Sequence, residues 1–214
     1  MWKKQEKNGK VWYEFLIEGR IIAWQGTRTF NPLEEIEHKK ECGLQQIHSG
    51  IIRYAGDGCD QIGDGIWTDE KGNMVYVKTA DCLPIIFYNT RGILGILHVG
   101  WKGTLLRLPQ KFLLMMKKMG IPPSSWIVGF GPSIECRNYV VGDDVRKLFN
   151  SEGLNGINLR DGKYHLDLVQ ANLEEMERFG ITEFHLFPEG TYDSENFYSY
   201  RKGDEGKQIT AGML

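Results

Sequence analysis

Three short stretches of the chain hold residue types that do chemistry: QIHSG at 46–50, TADC at 79–82 and HVGWKG at 98–103. Between them they supply His48, Cys82 and His98. Two imidazoles and a thiolate are suitable donors for zinc, and a set of three leaves the fourth coordination position open, which makes a site catalytic rather than structural. The same residues admit a metal-free chemistry in which Cys82 is a nucleophile and His98 or His48 its base. Such donors also suit copper, but the chain has only five histidines, a poor supply for the multinuclear cluster that oxygen reduction usually needs. A binding or assembly module with a structural zinc is a further reading, and a fourth protein ligand would mark it. Any one stretch is a weak signal, because a buried histidine usually just finds a hydrogen-bond partner; His38, His165 and His185 read that way. Asp81, beside Cys82, puts a charge between the apolar runs VYV and LPIIFY, and something must compensate it.

The elements that would position these residues are mixed. VWYEFLI and IIAWQ, separated by EGR, predict a hairpin. NPLEEIEHKKECG predicts a helix capped by Asn31, with Pro32 in its first turn and Gly43 as its stop. YAGDGCDQIGDGIWT is rich in Gly and Asp and reads as a loop before the strand NMVYVKT. LPIIFY and ILGILHVGW predict a second hairpin; a three-residue loop at 89–91 would set Cys82 opposite His98. Pro84 lacks a backbone donor, so the ladder should end near TADC. LPQKFLLMMKKMG predicts a helix with Pro109 early and Gly120 beyond it, and HLDLVQANLEEMERFG one with Asp167 and Gln170 as a capping box and Gly180 as the stop. Strands and helices alternate too irregularly for a doubly wound sheet, so an α+β fold follows.

The 214 residues suit a single domain spanning 1–214 with a sizeable apolar interior. A formal charge of -2 leaves no electrostatic footprint for nucleic acid. The start, MWKKQEKNGK, lacks the apolar core of a signal peptide and no run approaches the ~20 residues that span a bilayer, so a cytoplasmic protein with no membrane partner is expected. Cys42, Cys59, Cys82 and Cys136 form no CxxC pair, and free thiols are expected in a reducing cytosol. Oligomeric state is not set by these features.

QIHSG, DGIWT, TADCLPI, HVGWKGT, GPSI followed by YVVG, LDLVQAN and FYSYR, in that order over most of the chain, resemble the successive motifs of the YfiH-like family. Its members are also called laccase-domain proteins, or purine nucleoside phosphorylases of the multicopper polyphenol oxidase type. The resemblance implies a layered α/β/β/α arrangement with mixed sheets, and a zinc ion bound by His48, Cys82 and His98. Asp81 would then orient a histidine ring or other donors, or else be a plain turn carboxylate. The implied activities are phosphorolysis of adenosine, inosine and methylthioadenosine, with adenosine deamination beside it; older descriptions propose a copper-dependent phenol oxidase. Purine nucleoside and phosphate would be the small-molecule partners. Arg28 and Arg201 are the candidate phosphate or ribose contacts, Glu135 and Asp64 candidate donors to the leaving base, and Trp101 the candidate cover for a purine ring; Gln46 joins them from the first motif. Three positions depart from the family pattern: Lys102 replaces the arginine after GW, Gly190 replaces the cysteine before Thr191, and Lys207 replaces the arginine after Gly206. Lysine lacks the planar fork that grips an anion through paired donors.

Overall fold

The strands Leu83–Asn89 and Ile93–Val99 are buried along their whole lengths, which requires cover on both faces. In the computed structural model, which describes residues 1–214, the alternation of their side chains supplies two cores. Leu83, Ile85 and Phe87 face Phe112, Leu113 and Met116 of the helix Leu108–Lys118. Ile86, Tyr88, Leu94 and Ile96 face the other way and pack on Phe15, Val75 and Val77. The hairpin is the centre of a six-stranded sheet ordered Glu183–His185, Trp126–Phe130, Leu83–Asn89, Ile93–Val99, Gly65–Thr68 and Ile52–Tyr54. A second six-stranded sheet stacks on it, ordered Trp2–Lys7, Lys10–Ile17, Arg20–Gln25, Gln208–Met213, Asn73–Thr79 and Lys40–Cys42. Both sheets mix parallel with antiparallel pairs. Helices Leu108–Lys118, Asp143–Ser151 and Leu168–Phe179 cover the outer face of the first sheet. The outer face of the second is covered thinly, by Leu33 and Ile36 at a helix of four residues packed near Trp24 and Met74. The α+β class and its layers are thus as the sequence implies. No helix is long and apolar enough to cross a membrane.

The helices Leu108–Lys118 and Leu168–Phe179 form as expected. Asp167 accepts from the Gln170 N–H at 2.9 Å, but the Gln170 side chain turns to Glu174, so only half of the capping box forms. Gly180 ends that helix in the left-handed region.

Three expectations are corrected. The helix begun by Asn31 covers only Pro32–Glu35. Beyond Ile36 the charged run offers no apolar face to bury, and Lys40–Cys42 instead extends a sheet edge, pairing parallel with Asn73, Met74 and Val75. Gly43 is no helix stop; a Cβ there would lie 2.3 Å from the Tyr76 ring. Second, Cys42 and Cys59 are joined in a disulfide, leaving Cys82 and Cys136 free. The Gly- and Asp-rich loop folds back along the edge strand, with the Asp60 N–H donating to Gly43 O at 3.1 Å and Leu44 pairing with Gln61. Third, the central hairpin loop has three residues, but they are 90–92: Asn89 pairs with Ile93, and Pro84 rather than Cys82 stands opposite His98. Gly92, at φ +80°, takes the left-handed last position of the loop, and the Asn89 side chain accepts from the Arg91 N–H.

Candidate metal centre

The three donors nevertheless converge. Ligand atoms of His48, Cys82 and His98 lie within 4.8 Å of one another, and His48 Nε2 is 3.9 Å from Cys82 Sγ. His98 is near the end of a central strand and buried; Cys82 sits in the turn before the facing strand, half-buried; His48 is exposed on a loop. Because the register passes Cys82 beyond the ladder, its thiol lies against Gly100, where a Cβ would stand 2.8 Å from Sγ. Gly100 is thus needed for the thiol to enter the centre, and its place in HVGW was the only hint of it.

Asp64 ties the two histidines together. It is fully buried. Oδ1 accepts from the His48 backbone N–H at 3.0 Å and from His98 Nδ1 at 2.8 Å, while Oδ2 accepts from the Ser49 hydroxyl at 2.6 Å and from the Ser49 N–H. The His98 N–H donates to Asp64 O at 2.7 Å. With Nδ1 engaged, Nε2 is the free nitrogen of His98, so Asp64 selects its tautomer. His48 itself is held at φ +58°, an unfavourable region for a side chain-bearing residue.

Asp81 does not orient a histidine. Its Oδ1 accepts from the Thr191 hydroxyl at 2.6 Å and its Oδ2 from the Arg201 N–H at 2.7 Å, and its carbonyl accepts from the Ile134 N–H at 3.0 Å. These partners hold Asp81 at φ +82°, the strained turn that aims Cys82 inward. The charge that looked uncompensated in TADC is thus met by a hydroxyl and a backbone donor from the C-terminal segment.

The electrostatics favour a thiolate. Burial pushes the Cys82 thiol up, but hydrogen bonding and charge from His48 and His98 outweigh it and bring it down to about 7. For His98 burial acts downward and is outweighed by Asp64 and Cys82, which raise it to about 9. Burial would raise Asp64, yet His98 and Ser49 hold it at about 2. Two imidazoles beside a thiol that ionises easily fit a divalent cation of borderline softness, and no fourth His, Cys, Asp or Glu joins the group.

The centre opens into a cavity of about 510 Å³, bordered by Trp101, Tyr139, Tyr200, Arg201 and Lys207. Gln46 also lines it, though both ends of its amide clamp the Lys78 backbone at 2.8 Å. The Arg201 guanidinium donates to Val140 O at 2.8 Å and lies 5.1 Å above the Tyr139 ring. Three candidate contacts fall elsewhere. Asp64 is sealed behind the histidines. Arg28 lines a neighbouring cavity of about 410 Å³, where it donates to Phe197 O at 3.0 Å and pairs with Asp204. Glu135 lines a third, accepting from the Tyr192 N–H at 3.2 Å. It occupies the space left by Gly190, where a Cβ would meet its Cδ at 2.0 Å. Lys207, noted in the sequence as a departure from the family arginine, also lines the cavity; Lys78, Tyr139 and Tyr200 were not singled out from sequence, since nothing in their local pattern marks a cavity wall.

Residues 27–214 match the family model described as multi-copper polyphenol oxidoreductase laccase. A purine nucleoside phosphorylase of Deinococcus radiodurans is 35% identical over 162 residues, covering 74% of this chain and 63% of that protein. The chain therefore spans less than two thirds of that relative. A purine nucleoside phosphorylase of Borreliella burgdorferi is 30% identical over 211 residues, covering 90% of this chain and 92% of that one. The crystal structure of Bacillus licheniformis hypothetical protein YfiH matches with a TM-score of 0.74 at 25% identity, over 81% of this chain and 74% of that one.

Proposed function

The chain belongs to the multi-copper polyphenol oxidoreductase laccase family, and from that premise we propose that it is a cytoplasmic, zinc-dependent purine nucleoside phosphorylase acting on adenosine, inosine and methylthioadenosine, with adenosine deamination at the same centre. The observation that carries the reading is the convergence of His48, Cys82 and His98, without a fourth protein donor, in a cavity walled by Trp101, Tyr139 and Tyr200. Zinc bound there supplies a Lewis acid. The chain's own residues do the rest. Asp64 fixes the His98 tautomer and the His48 loop. Trp101, Tyr139 and Tyr200 offer apolar faces to a purine, and Lys78, Arg201 and Lys207 bring positive charge to the same walls for phosphate. The relatives' names support nucleoside and phosphate as substrates.

The test is product analysis with metal content. Adenosine should give adenine and ribose 1-phosphate only when phosphate is present, and inosine with or without it. Protein as isolated should carry about one zinc per chain, and Cys82→Ala or His98→Ala should lower that occupancy, because two ligands remain. Adenine released at the same rate without phosphate would make water the nucleophile and remove the phosphorylase reading.

One observation favours a second reading. Cys82, His98 and Asp64 form a thiol–imidazole–carboxylate series, the arrangement of a cysteine nucleophile with its base and orienting acid. Activity that survives complete metal removal by a chelator would select it. The copper oxidase reading lacks such support: His38, His165 and His185 bond to Ile36 O, Cys136 O and Glu183 and do not extend the group.

A further inference from the structure

The Cys42–Cys59 disulfide closes a loop that contains His48 and Ser49. Cys42 ends the strand Lys40–Cys42, which pairs with Asn73–Val75 at the start of the strand that runs to Thr79 and into the TADC turn. The cross-link therefore binds the loop carrying one donor, His48, to the sheet that carries another, Cys82. The donors are unequally held. His98 and Cys82 stand at strand ends on the packed core, whereas His48 is exposed, its neighbour Ile47 is 57% exposed, and the backbone at His48 is left-handed. Such a conformation persists only while its surroundings impose it.

We propose that this disulfide is a redox modification site controlling the metal centre: oxidised, the loop keeps His48 in the donor set; reduced by a dithiol, residues 43–58 open more often and the metal is lost to competitors. The proposal rests on the reading of His48 as a metal ligand. Reduction balances simply. A thiolate of the dithiol attacks Sγ of Cys59, the half-buried partner, while Cys42 is fully buried. The S–S bond breaks and Cys42 departs as a thiolate that takes up a proton. The second thiol of the reductant then closes on its own sulfur in the mixed disulfide and expels Cys59, leaving two protein thiols and one cyclic disulfide. Two electrons pass from reductant to protein, and the metal keeps its oxidation state. A disulfide in a reducing compartment is more often a sensor than a staple.

Opening is local because other ties remain after reduction: the Gln46 clamp on Lys78, the Asp64 bonds to His48 and Ser49, and the Leu44–Gln61 pairing. Closing a loop of this length restricts the open chain by roughly a hundredfold if the whole effect is expressed. With the remaining ties in place we expect zinc transfer to a chelator to accelerate about tenfold.

The experiment compares zinc-loaded protein purified in air with the same protein reduced by dithiothreitol and desalted under argon. Thiols counted after denaturation should rise from two to four, zinc transfer to a colorimetric chelator should accelerate about tenfold, and amides of residues 47–49 should exchange hydrogen faster in the metal-free reduced form. Cys59→Ser should behave like reduced protein whether or not dithiol is added; should it fail to fold, the two wild-type samples decide. Four thiols in the air-purified protein, or equal zinc transfer from both states, overturns the switch alone. Zinc bound by neither state overturns the metal reading of His48, and the switch with it.

Discussion

Two buried aspartates stand behind the two halves of the candidate metal centre, and they are wired differently. Asp64, on the histidine side, spends its carboxylate on the candidate ligands and their loop: the ring of His98, the backbone of His48 and both donors of the neighbouring Ser49. Asp81, on the cysteine side, spends its carboxylate on Thr191 and the Arg201 backbone, far along the chain. One carboxylate therefore assembles the donors, and the other attaches a cavity wall to the turn that presents one donor. Adjacency in sequence misleads here: the aspartate next to the cysteine serves the wall, and one distant from both histidines serves the ligands.

The largest effect should follow removal of the assembling carboxylate. Asp64→Ala leaves a buried imidazole and several backbone donors without a partner and should cost about 3–5 kcal/mol of stability in denaturant unfolding, together with loss of zinc by elemental analysis. Asp64→Asn retains an acceptor and should sit between this variant and the wild type. Zinc retained at full occupancy in folded Asp64→Ala would erase the distinction between the two aspartates.

Asp81→Ala should cost less, about 1–3 kcal/mol, and should keep its zinc while raising the KM for nucleoside or phosphate, because the wall bearing Arg201 is released. Loss of zinc equal to that of Asp64→Ala would show that the turn, and not the histidine carboxylate, sets the centre.

The pH response sharpens the same contrast in metal-free protein. Asp64 is depressed from 3.8 to about 2 on folding, so its contribution is complete above pH 3.8 and lost as pH falls towards 2. His98 is raised from 6.5 to about 9, so its contribution is complete below pH 6.5 and lost as pH rises through 9. The cysteine side is read separately by alkylation: Cys82 should label with a midpoint near pH 7, whereas burial and the nearby Asp167 push the Cys136 thiol above its usual range and should delay its labelling. Parallel labelling of the two thiols would contradict the imidazole environment of Cys82.

The smallest effect belongs to Arg28, which both aspartates leave out. It lines the neighbouring cavity and pairs with Asp204 near the surface, so Arg28→Ala should cost about 0–1 kcal/mol and leave zinc content and turnover close to wild type. A loss of phosphate dependence in this variant would extend the site across Lys207, which lines both cavities.

The sequence by itself held the candidate donors and most of the elements that carry them. His and Cys at segment ends have the softness that suits a metal, and the motif order carried the family resemblance that singled out His48, Cys82 and His98 among them as candidate ligands. Local signals also placed the central hairpin and the helices Leu108–Lys118 and Leu168–Phe179, since caps, glycine stops and apolar periodicity act within a few residues. Only the tertiary structure decided which aspartate serves the histidines, which residue faces His98, that Cys42 meets Cys59, and that Arg28 and Glu135 line other cavities. Each of these depends on a backbone step that local pattern leaves open. One left-handed glycine at position 92 shifts the hairpin by a residue pair, left-handed His48 and Asp81 aim their neighbours, and an edge strand replaces the end of a helix because the sheet, distant in sequence, offers it partners.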